Sequence, residues 1–242
     1  MKRLILLLCL LAALIAAYVS RRHYAVSVSP LVQSLKIIST VEDRLDEYGP
    51  QARGRLIPFF ALKEVSYPPA RVVLLALKQE NVLEVHAAGT NQPLRFIRSF
   101  PVLGASGESG PKLREGDRQV PEGVYAIDSL DPNSPFYLAL KIGYPNDFDR
   151  EQARREGRPN PSGNILIHGD TVSMDCLAMG DEAVEDLFVL AGDIGLENIS
   201  LIISPVDFRL GNTVPPSAKL PAWSVALYDT LRLRLKELPK DR

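Results

Sequence analysis

Apolar residues near the amino-terminal end of the chain recur every three or four positions, the spacing of one face of a helix. The stretch "SPLVQSLKIISTVEDRLDEYG" has this spacing, and its apolar positions are Leu31, Leu35, Ile38, Val41 and Leu45. It ends at Gly49-Pro50, a pair that commonly stops a helix. A second short helix is predicted for "ARGRLIPFFALKEVSYPPA", which is closed by Pro68-Pro69.

The middle of the chain contains short apolar runs bounded by turn residues, a pattern that predicts strands. The segment "RVVLLALKQENVLEVHAA" predicts a hairpin of two strands around a Gln-Glu-Asn turn. Further strands are predicted in "PLRFIRSFPVL", "GVYAIDSL", "FYLALKIGYP", "NILIHG" and "ISLIISPVDF". Gly, Pro and charged residues dominate "GASGESGPKLREGDRQVPEG" and "NDFDREQARREGRPNPSG", so both are expected to be loops, the second with a helical turn.

Helical spacing returns towards the carboxyl end. The segment "GDEAVEDLFVLAGDIG" places Val184, Leu187, Phe188 and Ala191 on one face, and "PAWSVALYDTLRLRLKEL" is a last amphipathic helix. The inventory predicts a fold that is mainly β with flanking helices, in the α+β class.

The first residues carry a topological signal. Lys2 and Arg3 precede an uncharged apolar run of 16 residues, Leu4–Val19, which is slightly shorter than the roughly 20 that span a bilayer. Residues 1–20 are therefore predicted to be a signal peptide or an N-terminal membrane anchor, with cleavage left open. Residues 21–66 are predicted to be a helical juxtamembrane segment and residues 67–242 an exported domain.

Composition narrows the function classes. The chain is 46% apolar and 24% charged with a net charge of −1, which suits a globular core and gives no basic field for nucleic acid. Of its two cysteines, Cys9 lies in the apolar run and Cys176 in the exported domain. A single thiol in an oxidising compartment is either a small buried hydrophobe or a used group, and both interpretations remain open.

The stretch "NILIHGDTVSMDCLAMGDEAVEDL" contains the candidate chemistry. A thiol must lose its proton to attack a carbonyl, and the imidazole of His168 could accept the proton of Cys176. Cys176 is expected just before a helix start, whose free N–H groups would favour the thiolate and form an oxyanion hole. The sequence therefore predicts a nucleophile and a base at the end of an apolar strand.

Other groups near this stretch have weaker claims. His168, Asp170, Asp175 and Cys176 do not follow a zinc spacing, so no metal and no cofactor are predicted. Lys112, Arg114 and Arg118 could attract a substrate carboxylate, or they could be a solvated loop. Tyr144, before Pro145, could line the substrate cleft or pack in the core.

The order His168-Gly169, Ser173, Cys176, Leu177 and Met179 resembles the catalytic signature of the L,D-transpeptidase catalytic-domain family (YkuD-type). It is most similar to a bacterial murein branch with a short link between the His-Gly and the Cys parts. The resemblance extends to "GPKLREGDRQVPEGVYAI", "FYLALKIGYPNDFD" and "SPVDFR", and covers about Tyr67 to Arg209.

The resemblance implies a β-sandwich-like fold and a periplasmic or cell-envelope enzyme that acts on peptidoglycan stem peptides at meso-diaminopimelate. Cys176 would be the nucleophile that forms an acyl-enzyme, and His168 the base. Gly169 and Ser173 would shape the turn, and N–H groups near Met174, Asp175 and Cys176 would bind the oxyanion. The acceptor would be an amine in a transpeptidase or water in a murein amidase or hydrolase. A murein-linked envelope protein is a further candidate partner.

One position departs from the family pattern. The residue before the cysteine is normally glycine, and here it is Asp175. Aspartate tolerates a positive φ, but a carboxylate about 6 Å from a thiolate costs about 0.7 kcal/mol in water and about 3 kcal/mol at an effective dielectric near 20. The charge would therefore raise the pKa of the thiol unless Asp175 points away. A catalytically impaired envelope binding module stays open as the alternative.

Overall fold

Eight strands form one curled mixed sheet in the residues that the computed structural model describes, 38–214 and 220–240. The strands are β1 (Arg71–Leu77), β2 (Val82–Ala88), β3 (Arg95–Pro101), β4 (Gly123–Asp131), β5 (Ala139–Ile142), β6 (Leu166–His168), β7 (Leu177–Ala178) and β8 (Ile199–Ser204). Their order is β3-β2-β1-β8-β4-β5-β6-β7. The pairs β1–β8 and β6–β7 are parallel, and the other neighbours are antiparallel.

The same residues contain four α-helices, α1 (Val41–Leu62), α2 (Asp147–Arg155), α3 (Asp181–Ile194) and α4 (Ser224–Lys236). The predicted class, mainly β with flanking helices, is confirmed. The β1–β2 hairpin, the five other predicted strands and the two late helices are also present. The segment expected to hold one helical turn contains the nine-residue helix α2, because Asn146 and Asp149 close a reciprocal capping box at its start.

Helices cover both faces of the central strands. Leu56 and Phe60 of α1 and Phe188 of α3 pack with the larger apolar cluster on one face. Leu231 and Leu235 of α4 pack with a second cluster on the opposite face. Strands β1 and β8 lie between these layers, and this burial on both faces explains their nearly continuous apolar sequences.

The prediction of a helix that stops at Gly49-Pro50 and of a second helix after it is wrong. Helix α1 is a single helix that runs unbroken through Pro50 and Pro58. An internal proline removes a hydrogen bond and costs about 3 kcal/mol. Tertiary contacts offset this cost, since Ala52, Leu56 and Phe60 are buried. Two arginines of the helix, Arg53 and Arg55, also pair with carboxylates of α3.

Most of the described chain belongs to one compact unit, Ser39–Arg242. The expected signal peptide or anchor, and the juxtamembrane segment as far as residue 37, lie outside the described residues. The domain boundaries at residues 20 and 66 stay predictions. No helix among the described residues has both the length and the apolar character needed to cross a bilayer.

Candidate active site

The candidate site lies where β6 and β7 run side by side at one end of the sheet order. His168 is the last residue of β6, and Cys176 directly precedes β7. The register pairs Ile167 with Leu177, so Cys176 is level with Leu166. Because alternate residues of a strand share a face, Leu166 and His168 point away from the main core that holds Ile167. Cys176 packs with Leu166, so the thiol and the imidazole lie on the same face.

A tight turn leaves His168 and is tied to the start of α3. The N–H of Asp170 donates to Oδ1 of Asp181 at 3.0 Å, and the N–H of Gly180 donates to the carbonyl of Asp170 at 2.8 Å. A Cβ on Gly169 would lie 2.6 Å from Oδ1 of Asp181 and 2.9 Å from the carbonyl oxygen of Phe136. A side chain at 169 would therefore force the turn or its neighbours to shift, and the turn role of Gly169 stays a prediction.

His168 is held as a neutral imidazole. The residue is 1% exposed, and the centre of its ring lies 4.7 Å from that of Phe136, with the two ring planes tilted by 34°. The Nδ1 atom hydrogen-bonds the carbonyl of Gly169, and because a carbonyl can only accept, Nδ1 carries the proton. The lone pair of Nε2 therefore faces Oγ of Ser173 at 3.4 Å. Burial lowers the pKa of His168 below its ordinary value of 6.5, although the Gly169 carbonyl and the charge of Asp170 act in the opposite direction.

Cys176 is held as a neutral thiol. It is 7% exposed; its Sγ accepts the N–H of Leu166 at 3.3 Å and donates to the carbonyl of Asn164 at 3.6 Å. Burial raises the pKa of the Cys176 thiol, and the charge of Asp175 adds to this effect. The Leu166 N–H, the Ser173 hydroxyl and the Lys112 ammonium partly oppose it.

Ser173 joins the two groups. Its Oγ accepts the backbone N–H of Cys176 at 3.2 Å while it faces Nε2 of His168. The described residues contain no direct hydrogen bond between the His168 ring and the Cys176 sulfur. The Ser173 hydroxyl thus lies between the His168 ring and the backbone of Cys176, and the turn role of Ser173 stays a prediction.

Asp175 has a φ of 69°, the left-handed conformation that glycine adopts most easily. Its N–H donates to Oγ of Ser106 at 2.8 Å, and its Oδ2 lies 3.1 Å from Nζ of Lys112. The carboxylate is therefore paired with a cation. The charge at position 175, where the family pattern has glycine, therefore points towards Lys112.

The surroundings of Cys176 differ from the expectation of a helix start. Strand β7 follows the cysteine, and α3 begins only at Asp181. The prediction that a helix start lies directly after the sulfur is therefore wrong. The two-residue strand forms because it pairs with β6 on one side and with Gly104 on the other.

The predicted oxyanion donors are largely engaged. The N–H groups of Asp175 and Cys176 donate to serine hydroxyls. Within the part of the chain that the structure describes, the N–H of Met174 makes no hydrogen bond, and its side chain is 68% exposed. Of these three N–H groups, only that of Met174 donates to no described acceptor.

Lys112 and Tyr144, the predicted substrate-binding residues, are engaged inside the protein. The Lys112 side chain is 0% exposed, and its Nζ lies 2.7 Å from Oδ1 of Asp117 as well as beside Asp175. The hydroxyl of the buried Tyr144 donates to the Lys112 carbonyl at 3.2 Å. Arg114 and Arg118 are exposed. The contact of Lys112 and Tyr144 with substrate stays a prediction.

Sequence reasoning missed four residues at the site: Ser106, Asp117, Phe136 and Asn164. Asp117 stands in the charged loop five residues after Lys112, and this spacing could have suggested the pair. Ser106 contacts a residue 69 positions away, for which no local pattern exists. In the described ranges, no group of three or more His, Cys, Asp or Glu side chains is placed to hold a metal ion.

Comparison with known proteins gives the chain a family context. No family model matches it. A curated protein of Escherichia coli K12, "Putative L,D-transpeptidase YafK", is 32% identical over 142 residues, which are 57% of this chain and 55% of that protein. The resemblance to the L,D-transpeptidase family is confirmed. The protein of the same name in Escherichia coli O157:H7 matches with the same identity and coverage. The chain spans about half the length of these curated relatives.

Solved structures with a similar chain path are more distant. Bdellovibrio bacteriovorus Bd1075 is 22% identical with a TM-score of 0.42, over 71% of this chain and 56% of that one. The helical cell shape determining protein Pgp2 of Campylobacter jejuni is 20% identical with a TM-score of 0.47, over 63% and 52%. Mycobacterium tuberculosis L,D-transpeptidase 1 is 13% identical with a TM-score of 0.32, over 55% and 62%. These identities and TM-scores are too low to carry an argument about the site, so the description of the site uses only the residues of this chain.

Proposed function

We propose that this chain is a cell-envelope cysteine acyl-transfer enzyme that acts on peptidoglycan stem peptides at meso-diaminopimelate, the reaction that its resemblance to L,D-transpeptidases implies. The observation that carries the proposal is the position of the Ser173 hydroxyl, 3.4 Å from Nε2 of His168 and 3.2 Å from the backbone nitrogen of Cys176. This hydroxyl links a proton-accepting nitrogen to the residue that bears the thiol.

The first half-reaction forms an acyl-enzyme. The thiol proton of Cys176 passes to Nε2 of His168, through the Ser173 hydroxyl or directly after a small side-chain movement. Sγ attacks the carbonyl carbon of the diaminopimelate residue and forms a C–S bond. The amide C–N bond then breaks, and the leaving amine takes its proton from His168.

The second half-reaction resolves the thioester. An amine or a water attacks the thioester carbon, and His168 accepts its proton. The C–S bond breaks, and the sulfur recovers a proton from His168. An amine acceptor gives transpeptidation, and water gives the hydrolysis of a murein amidase or hydrolase, so the residues at the sulfur serve both reactions equally.

The resting state of the pair is neutral. Burial lowers the pKa of His168 and raises the pKa of Cys176, so the imidazole and the thiol are both uncharged at neutral pH. The N–H of Leu166 already points at Sγ and favours the anion as it forms. The N–H of Met174 is the candidate oxyanion donor, because those of Asp175 and Cys176 are engaged.

The compartment follows from the same proposal. Murein stem peptides lie outside the cytoplasmic membrane, so the domain would be exported to the periplasm or cell envelope by the apolar residues 4–19. If that segment is retained, the protein is also anchored in the membrane. A murein-linked envelope protein is a candidate substrate or acceptor in addition to the stem peptides.

The test is incubation of the purified full-length chain with murein sacculi, followed by mass analysis of the muropeptides. The matched pair of variants is Cys176→Ser and Cys9→Ser, because each removes one of the two thiols of the chain. New crosslinks, or stem peptides released by hydrolysis, are expected with the wild type and with Cys9→Ser and are expected to be absent with Cys176→Ser. Muropeptides unchanged by the wild type would overturn the proposal and favour the binding module.

A further inference from the structure

Among the described residues, the Asp175 carboxylate has one cationic partner, Lys112. Its Oδ2 lies 3.1 Å from Nζ of Lys112, and its Oδ1 is buried and makes no hydrogen bond to the described part of the chain. Because Asp175 immediately precedes Cys176, a negative charge here opposes the formation of a thiolate at the next residue. The balance of charge at the sulfur therefore depends on Lys112.

The Lys112 side chain is buried beside Asp175. It is 0% exposed, and a buried ammonium is stable only when carboxylates or other acceptors surround it. Asp117 supplies the second carboxylate at 2.7 Å. The same Asp117 side chain accepts the N–H groups of Leu113, Arg114 and Gln119, which folds the loop around it.

The loop contacts Asp175 by two independent routes. The Lys112 ammonium holds the side chain, and the Ser106 hydroxyl accepts the backbone N–H. Gly104 makes a third contact in the same region, since a Cβ there would lie 2.6 Å from the carbonyl oxygen of Thr171. The turn that carries Cys176 is thus packed closely against the segment that carries Lys112.

We propose that Lys112 is a positioning residue for the Cys176 nucleophile, which neutralises Asp175 and so allows an aspartate to stand where the family has glycine. The inference rests on the proposed role of Cys176. It assigns the buried Lys112–Asp175 pair to the electrostatics of the thiol, whereas the sequence had suggested that Lys112 binds substrate. The charged groups that act on Cys176 directly are Asp175 from the turn and Lys112 from the loop. The titratable His168 lies on the same face of the sheet from β6, and Asp117 of the loop pairs with Lys112.

The experiment measures the rate of Cys176 alkylation by iodoacetamide against pH in the full-length Cys9→Ser protein. The variants are Lys112→Met, Asp175→Asn and the double variant. Lys112→Met leaves Asp175 without its cation, so the midpoint is expected to rise by about one pH unit, with a rate at neutral pH about tenfold lower. Asp175→Asn is expected to lower the midpoint, and the double variant should lie within about twofold of the parent rate because both charges are gone.

A merely structural role would give a different result. Lys112→Met and the double variant would then share one profile, because removing the Asp175 charge would not rescue the thiol, and the proposal would be overturned. If Lys112→Met fails to fold, as thermal melting would reveal, Asp175→Asn alone decides: an unchanged alkylation midpoint overturns the proposal. Alkylation needs no murein, so this experiment is independent of the sacculus experiment. If the alkylation midpoints shift as expected while the sacculi stay unchanged, the proposed function is contradicted and the charge pairing at the thiol still holds.

Discussion

The Oγ atom of Ser173 lies 3.4 Å from Nε2 of His168. Nε2 is the unprotonated ring nitrogen, because Nδ1 carries the proton that it donates to the Gly169 carbonyl. The hydroxyl also fixes the backbone of Cys176 through the N–H that it accepts. Among the described residues, Ser173 is the one side chain that hydrogen-bonds both residues of the proposed pair.

Replacing Ser173 by alanine is expected to lower kcat/KM for stem-peptide turnover by on the order of 10²-fold, because the hydroxyl through which the thiol proton is proposed to reach the imidazole is removed. Turnover is measured by mass analysis of the muropeptides over time. Ser99→Ala, at an exposed position of β3, is the matched control and should leave kcat/KM unchanged. Turnover by Ser173→Ala within twofold of the wild type would remove the bridge from the mechanism.

The pH profile of turnover reports the two buried groups. Activity requires neutral His168, and burial lowers its pKa below 6.5, so the acid limb of kcat/KM is expected to have its midpoint below pH 6.5. Burial raises the pKa of Cys176, so the thiol form persists above its ordinary range and the alkaline limb is displaced upward. An acid limb with a midpoint above 6.5 would contradict a neutral, buried base.

The same lowered pKa has a consequence for stability. Below pH 6.5 the unfolded chain binds a proton at His168 that the folded chain binds only at lower pH, so the free energy of unfolding falls as the pH decreases through this window. His168→Gln should make this fall shallower. Urea unfolding of both proteins at a series of pH values measures the difference, and parallel curves would show that His168 contributes nothing.

The elements that repeat a pattern over several residues were predictable from the sequence. Strands β1 and β8 and helix α3 each bury a continuous or periodic apolar set. Helix α1 was predicted in two pieces, because the local signal of Pro50 is weaker than the packing of its buried residues. Strand β7 has only two residues, too few for a period, and its pairing partners are set by the fold.

The proximity of His168 and Cys176 was predictable from the sequence, and their catalytic roles stay predictions. The His168 and Cys176 pair followed from residue types whose spacing matches a known signature. The Lys112–Asp175 contact joins positions 63 residues apart, and the sequence gives no register for such a meeting. Whether the charge of Asp175 was free or compensated could therefore be decided only once the loop and the turn were placed together.

Helix α1 is expected to contribute to the stability of the domain through Arg55. Its Nε lies 2.7 Å from Oδ1 of Asp186, a carboxylate that is 1% exposed and also accepts from Arg98. Arg55→Gln should lower the free energy of unfolding by about 3 kcal/mol, because a buried carboxylate loses its nearest cation. Urea unfolding measures this change. Arg154→Gln, in an exposed pair with Glu151, is the control and should leave stability unchanged. Equal stabilities of the two variants would mean that the Arg55–Asp186 pair adds little to the stability of the domain.

Gly169→Ala tests whether close packing at the turn sets the geometry of the base. The added Cβ would meet the Phe136 carbonyl oxygen at 2.9 Å, and this backbone atom cannot turn aside as a flexible side chain would. A displacement of His168 by about 1 Å should reduce turnover by on the order of 10²-fold. Gly54→Ala in α1 is the matched substitution, because nothing lies within 4 Å of its Cβ. It should leave turnover intact and raise stability by about 0.5–1 kcal/mol, since alanine favours a helix interior. Full turnover by Gly169→Ala would mean that the turn can relax without moving the imidazole, and the close approach to Phe136 would then have no part in catalysis.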